Sequence, residues 1–162
     1  MKVSYSELHP ESKVWIYQSD VELSDQQVEE GNALINRFLD NWTSHNVALP
    51  SFGFIKYNRF IVMIADQSTV SAGGCSMDKM VHFIEALEKH WDVSLLDRTL
   101  IAYKSEMDDD IKTINFGDLK TVFGKGLINE NTLVFDNLVD TKEKFETNWE
   151  KNILQSWHKR FL

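Results

Sequence analysis

The stretch Phe52-Gly53-Phe54-Ile55-Lys56-Tyr57-Asn58-Arg59-Phe60-Ile61-Val62-Met63-Ile64-Ala65 decides how the chain is read. It holds two runs of β-branched, aromatic and aliphatic residues with almost nothing between them. Asn58 tolerates the left-handed backbone that a tight turn needs, so the pattern predicts a β-hairpin, with one long strand as the alternative. Upstream, Lys13-Val14-Trp15-Ile16-Tyr17-Gln18 reads as a strand after a turn at Pro10. A helix follows from Ser24, where Ser24 and Gln27 make a capping box and Asp25, Glu29 and Glu30 favour the positive end of the dipole. Val28, Ile35, Phe38, Leu39 and Trp42 recur at helical spacing to about His45, and Pro50 closes the unit.

Downstream, Ser71-Ala72-Gly73-Gly74 leads into a second helix over 76–91, with Met80, Ile84, Leu87 and Trp91 on its apolar face. A fourth strand falls at 99–103. The order β-α-β-β-α-β predicts an α+β fold with a ferredoxin-like core. Beyond it, 106–110 reads as a solvated acidic loop, 118–123 as a short helix and 132–135 as an extra strand. Asp140 with Glu143 would cap a final helix carrying Phe145, Trp149, Ile153, Trp157 and Phe161. That stripe drifts by about 40° per step, which a break near Lys151 would relieve. The expected architecture is therefore a sheet covered by helices on one face, with a C-terminal strand and helical extension packed on or beyond it.

Length and composition bound the function. At 162 residues, with 43% hydrophobic and 26% charged residues, the chain reads as one globular domain spanning 1–162. Seventeen basic against 25 acidic side chains give a formal net charge of −8, which argues against a general nucleic-acid or anionic-membrane binder. The first residues lack the apolar core of a signal peptide, and the longest apolar run, 60–65, is far below the roughly 20 residues of a membrane helix. The expectation is a soluble cytoplasmic protein. One cysteine, Cys75, excludes an internal disulfide and any cysteine-built zinc site.

The chemistry-bearing candidates cluster at 66–78. Cys75 sits at the start of the second helix, where free N–H groups and the dipole favour a thiolate, although Asp78 opposes this. His82 lies two turns on, about 10 Å along the axis, and Asp66 ends the hairpin's second strand. These three are the catalytic candidates. Gly73 and Gly74, with the Ser68 and Ser76 hydroxyls, form a candidate anion-binding loop. The bland readings are a small residue packed at a helix start and a plain flexible loop. No P-loop, H-E-x-x-H, G-x-S-x-G or G-x-G-x-x-G occurs, and the five histidines show no metal-ligand spacing, so no metal and no cofactor is expected. Tyr57 and Arg59 at the hairpin tip, with Trp157 and Phe161 near the end, mix cations and aromatics as interfaces do. Packing on the chain's own core is the bland alternative for the last two.

Several blocks carry a resemblance: 14–19, 55–62, 66–68, 71–78 with 81–84, 135–139, and the closing Ser156-Trp157-His158-Lys159-Arg160-Phe161-Leu162. Over nearly its full length the chain resembles a family of short bacterial proteins often labelled "ABC transporter ATPase". The resemblance implies no established activity and no catalytic residues. The label itself fails on chemistry, because a Walker A lysine cradle and a magnesium-binding acid are both missing. The leading expectation is a binding domain, without ATPase activity, whose partner is a protein or a second copy of itself. The alternative is a small-ligand binder or enzyme using Cys75 and the Gly73-Gly74 loop.

Overall fold

A computed structural model describes residues 1–162. The fold is α+β, with nine short strands and four α-helices. The deciding hairpin forms as expected: β4 (Ser51–Lys56) and β5 (Phe60–Ala65) pair antiparallel, and Tyr57 and Asn58 both take positive φ at the turn. β1 (Lys13–Gln18) pairs antiparallel with β5 from Lys13–Ala65 to Gln18–Phe60, giving the sheet order β1-β5-β4. All six residues of β5 are buried because this central strand is covered on both faces.

On one face lie α1 (Asp25–Asp40) and α2 (Gly74–Trp91), closing over Ile61, Met63 and Ala65 with Ile35, Leu39, Trp42, Met80 and Ile84. Ser24 caps α1 as its sequence predicts, its Oγ accepting from the Gln27 amide at 3.1 Å. α1 stops at Asp40, earlier than the apolar stripe suggests. His45 and Asn46 at positive φ turn the chain into a small ladder, β2 (Thr43–Ser44) against β3 (Val47–Ala48). The opposite face of β5 packs Phe60, Val62 and Ile64 against Phe135, Val139, Phe145 and Trp149 from the last third of the chain. The face through which a ferredoxin-like sheet could dimerise is thus covered by the same chain.

The ferredoxin-like sheet order does not form. β6 (Leu100–Lys104) does not join the free edge of β1. It lies between β7 (Ile111–Asn115) and β8 (Leu133–Phe135) in a second antiparallel sheet, β7-β6-β8-β9. The physical reason is competition for hydrogen-bonding edges. β7 satisfies one edge of β6 over five residues and β8 takes the other at Tyr103 and Lys104, which draws β6 into the second sheet and away from β1. The loop at 106–110 is exposed as expected and connects β6 to β7, with Asp109 and Asp108 pairing with Lys104 and Lys112.

The last third also departs from one long helix. A 3-10 turn at Phe116–Asp118 leads into α3 (Leu119–Val122). α4 spans only Lys142–Asn148 and is capped by Thr141, not Asp140. It gives way to β9 (Glu150–Asn152) and then to 3-10 turns at Ile153–Gln155 and Trp157–Phe161. The four-residue spacing could not hold one face of a helix, and the break falls beside Lys151. No helix is long and apolar enough to cross a membrane.

Candidate functional site: a cleft between the two sheets

With β6 diverted, the outer edge of β1 is only half paired. The amide of Ser19 bonds Arg59 O on the β5 side, so odd-numbered residues of the strand face β5 and even-numbered ones face outward. At the start of the edge, Val14 N–H donates to Asp140 O and Lys142 N–H to Ser12 O. Beyond Val14 the two segments part. Ile16 and Gln18 then present outward backbone groups with no backbone partner, and the gap is bridged once more by the side chain of Asn137, whose Nδ2 donates to Gln18 Oε1 at 3.0 Å. A cavity of about 390 Å³ follows this edge, walled by Leu95, Leu100, Ile101 and Val139 and closed inside by Phe135 and His158. Three sequence blocks, 14–19, 135–139 and 156–162, converge on it.

Polar groups are concentrated at the inner end. Gln18 Nε2 reaches Leu100 O at 3.3 Å, and Trp149 Nε1 donates to Asn137 Oδ1 at 2.9 Å, so one relay runs from α4's end through Asn137 and Gln18 to β6. Asp136 is fully used. Its Oδ1 accepts from Leu138 N and Trp157 Nε1, both at 3.0 Å, and its Oδ2 lies 2.7 Å from Lys151 Nζ, with both side chains nearly buried. His158 is 1% exposed. Its Nδ1 pairs with Ser156 Oγ at 2.5 Å, and its other ring nitrogen has no protein partner. Burial lowers the His158 pKa to about 4; Asp136 opposes that fall and Lys151 adds to it. The ring is therefore neutral at pH 7, and Nε2 serves as donor or acceptor according to the tautomer.

Charge is kept to the mouth. Lys13 and Asp140 pair at 3.8 Å, and the exposed Arg98 guanidinium forms no ion pair and tempers the rise in pKa that burial gives Tyr17. No serine, threonine or cysteine lines the cavity. What the cleft offers is recognition: an apolar slot, an open strand edge and a neutral imidazole.

The candidates read from the 66–78 segment are dispersed. Cys75 is exposed at the second position of α2, and His82 is exposed further along the same helix. Asp66 accepts from the Ser68 amide at 2.8 Å, and bonding to Ser68 lowers its pKa. No hydrogen bond joins Cys75, Asp66 and His82, and none of the three principal cavities includes them. The glycine loop is partly occupied from within. Ser44 Oγ accepts from Gly73 N at 3.2 Å, the Ser76 hydroxyl donates to Thr43 O at 2.7 Å, Ser68 is exposed, and Gly74 has open space around it.

Of the interface candidates, Arg59 is buried and ties the hairpin to its neighbours through Ser19 O, Asp20 O and Ile111 O. Trp157 and Phe161 pack on the second sheet's core with Ile101, Leu119 and Ile153, and Phe161 lies 4.7 Å from Phe116 ring to ring. Only Tyr57, 44% exposed, remains outside. Gln18, Asn137, Arg98, His158 and the Asp136–Lys151 pair escape sequence reasoning. The available signal was the polar Asp136-Asn137 step within an otherwise apolar run from Leu133 to Val139.

Searches against protein-family models, curated proteins and solved structures find no match to this chain. The cleft is therefore read from its own chemistry.

Proposed function

We propose that the protein is a binding domain whose ligand is a small, mainly apolar molecule carrying one neutral hydrogen-bonding group, held in the cleft between the sheets. The observation that carries this reading is the free Nε2 of His158, on a side chain 1% exposed, at the end of a slot beside the unpaired edge of β1. A polar ring nitrogen with no protein hydrogen bond, beside an apolar slot, can pair with a bound ligand's amide, hydroxyl or carbonyl in place of water. Asp136 and Lys151 neutralise each other and do not line the cavity, so they offer a charged ligand no free counter-ion. The slot lies within the roughly 300–1,000 Å³ range of small-molecule sites. Self-association, the other binding mode, draws support from exposed apolar side chains such as Tyr57 and Leu138, the latter 67% exposed beside the cleft.

The test uses benzamide as a neutral probe beside benzoate and benzylamine, followed by heteronuclear NMR. Benzamide is expected to bind with a Kd of about 1 mM, equivalent to about −4 kcal/mol, and to shift the amides of Ile16 and Gln18 and the His158 ring. His158→Phe should abolish those shifts while leaving the remaining spectrum folded. Shifts confined to other surfaces, or unchanged in the variant, would remove the cleft from consideration.

A further inference from the structure

A second concave surface lies on the outer side of the hairpin, where the C-terminal segment meets β4. We infer that this groove is a binding site for a methylated ammonium ion, a small soluble quaternary amine. Its volume is about 610 Å³, and it is open to solvent. The walls are aromatic and meet at steep angles. Tyr5 stands edge-on to Phe52, with centroids 5.9 Å apart at 70°, and to Phe54, at 6.2 Å and 86°. Phe54 meets Phe145 at 6.1 Å and 70°, and Phe145 leans on Trp149 at 4.9 Å and 35°. Phe145 and Trp149 are buried behind the groove, while Tyr5, Phe52 and Phe54 are half-buried and keep part of their ring surface open to it, where a cation is attracted by the π-systems.

The charge at the rim matches. Glu146 and Glu150 both line the groove, and neither has an ion-pair partner. Each is held by a tyrosine: Tyr5 Oη donates to Glu146 Oε1 at 2.6 Å, and Tyr57 Oη lies 3.1 Å from both oxygens of Glu150. Two fixed, unpaired carboxylates above an aromatic floor favour a cation over a neutral or anionic ligand. The protein already uses the same attraction internally. Lys142 Nζ sits 4.3 Å from the Tyr5 centroid and Lys56 Nζ 4.7 Å from that of Tyr57, whereas no lysine or arginine of the chain covers Phe52, Phe54, Phe145 or Trp149.

The floor decides which cation. Phe52, Phe54 and Phe145 offer no acceptor, and the two tyrosine hydroxyls are already donated to the glutamates. A primary ammonium or a guanidinium could turn its N–H donors only to the rim carboxylates and would lose hydration on its ring-facing side, at a desolvation cost. A quaternary ammonium carries no such donor, and its methyl groups bury apolar area against the rings. Lys56, at the groove's edge, and Lys142, over the Tyr5 ring, are the chain's own cations that compete.

The experiment measures choline binding by NMR against dimethylbutanol, its neutral carbon isostere of the same shape. Choline is expected to shift the amides of Phe52, Phe54 and Glu150 saturably and to bind at least about fivefold more tightly than the isostere. Glu146→Gln with Glu150→Gln should weaken choline about two- to tenfold, while Lys56→Gln should strengthen it about two- to fivefold. These are surface substitutions, so folding is preserved. Phosphocholine, whose phosphate adds negative charge against the same rim, should bind more weakly than choline. Equal affinity for choline and dimethylbutanol would overturn the inference, as would indifference of choline to the glutamate pair, tighter binding of phosphocholine, or absence of any shift.

Discussion

His158 gives the sharpest link between the cleft and a solution measurement. Its folded pKa is held near 4 against an ordinary value of 6.5, chiefly because burial disfavours the imidazolium. Unfolding frees the ring to take up a proton, so between pH 6.5 and 4 the unfolded chain binds more protons than the native one. Stability from this group is full above pH 6.5 and falls as the pH drops towards 4. The complete difference is about 3 kcal/mol, and about 2 kcal/mol of it is already lost at pH 5 relative to pH 7.5. The carboxylates of Glu7, Asp66, Asp97, Asp108 and Asp140 are all lowered below their usual range, so their contributions are lost only at more acidic pH. Urea melts followed by tryptophan fluorescence at about pH 7.5 and pH 5, for the native protein and His158→Gln, isolate the histidine by difference. The native protein should lose about 2 kcal/mol more than the variant across that interval. Equal losses, within about 0.5 kcal/mol, would mean that the imidazole is not desolvated in the folded state and would refute the reasoning.

Three further outcomes follow from the same geometry. Lys151→Met strands the Asp136 carboxylate among buried groups and should cost about 2–4 kcal/mol by denaturant melt, most of it recovered by adding Asp136→Asn. Gly53→Ala should cost about 1–3 kcal/mol, because an added Cβ would meet Ile35 Cγ2 at 2.6 Å and Met63 Sδ at 2.8 Å; a neutral melt would show that β4 sits further from α1. Cys75 is exposed, so maleimide should label it in the native protein about as fast as in urea, and Cys75→Ser should change stability by less than about 0.5 kcal/mol. A thiol protected until unfolding would place the start of α2 elsewhere.

Local signals in the sequence carried the first half of the fold, and long-range competition decided the second. The hairpin at 52–65, the Ser24 capping box and the apolar face of Met80, Ile84, Leu87 and Trp91 each depend on neighbours within a few residues, and each is present. The position of β6 depends on partners that no local pattern ranks. Ile111-Lys112-Thr113-Ile114 has only weak alternation, so β7 was not legible, and without it the edge of β6 looked free for β1. The site failed to show for a related reason. A buried neutral histidine and a carboxylate cancelled by a lysine fifteen residues away look, in sequence, like solvated polar residues near a chain end. Cys75 attracted notice by its rarity and the adjacent glycines, features that say nothing about exposure.

The half-open edge of β1 also bears on what can occupy it. An exposed strand edge invites pairing with another chain, and proteins ordinarily blunt such edges. Here both ends of the gap are tied by the chain itself, at Val14 N–Asp140 O and at Asn137 Nδ2–Gln18 Oε1. At about 3.3 Å per residue the free run from Val14 to Gln18 is only about 13 Å long. A partner strand would have to thread a loop closed at both ends, or break one of those ties, before gaining two or three ladder bonds. A compact molecule entering from the side would break neither tie. The same two bonds that keep β1 from templating a second copy therefore leave a slot sized for a small ligand.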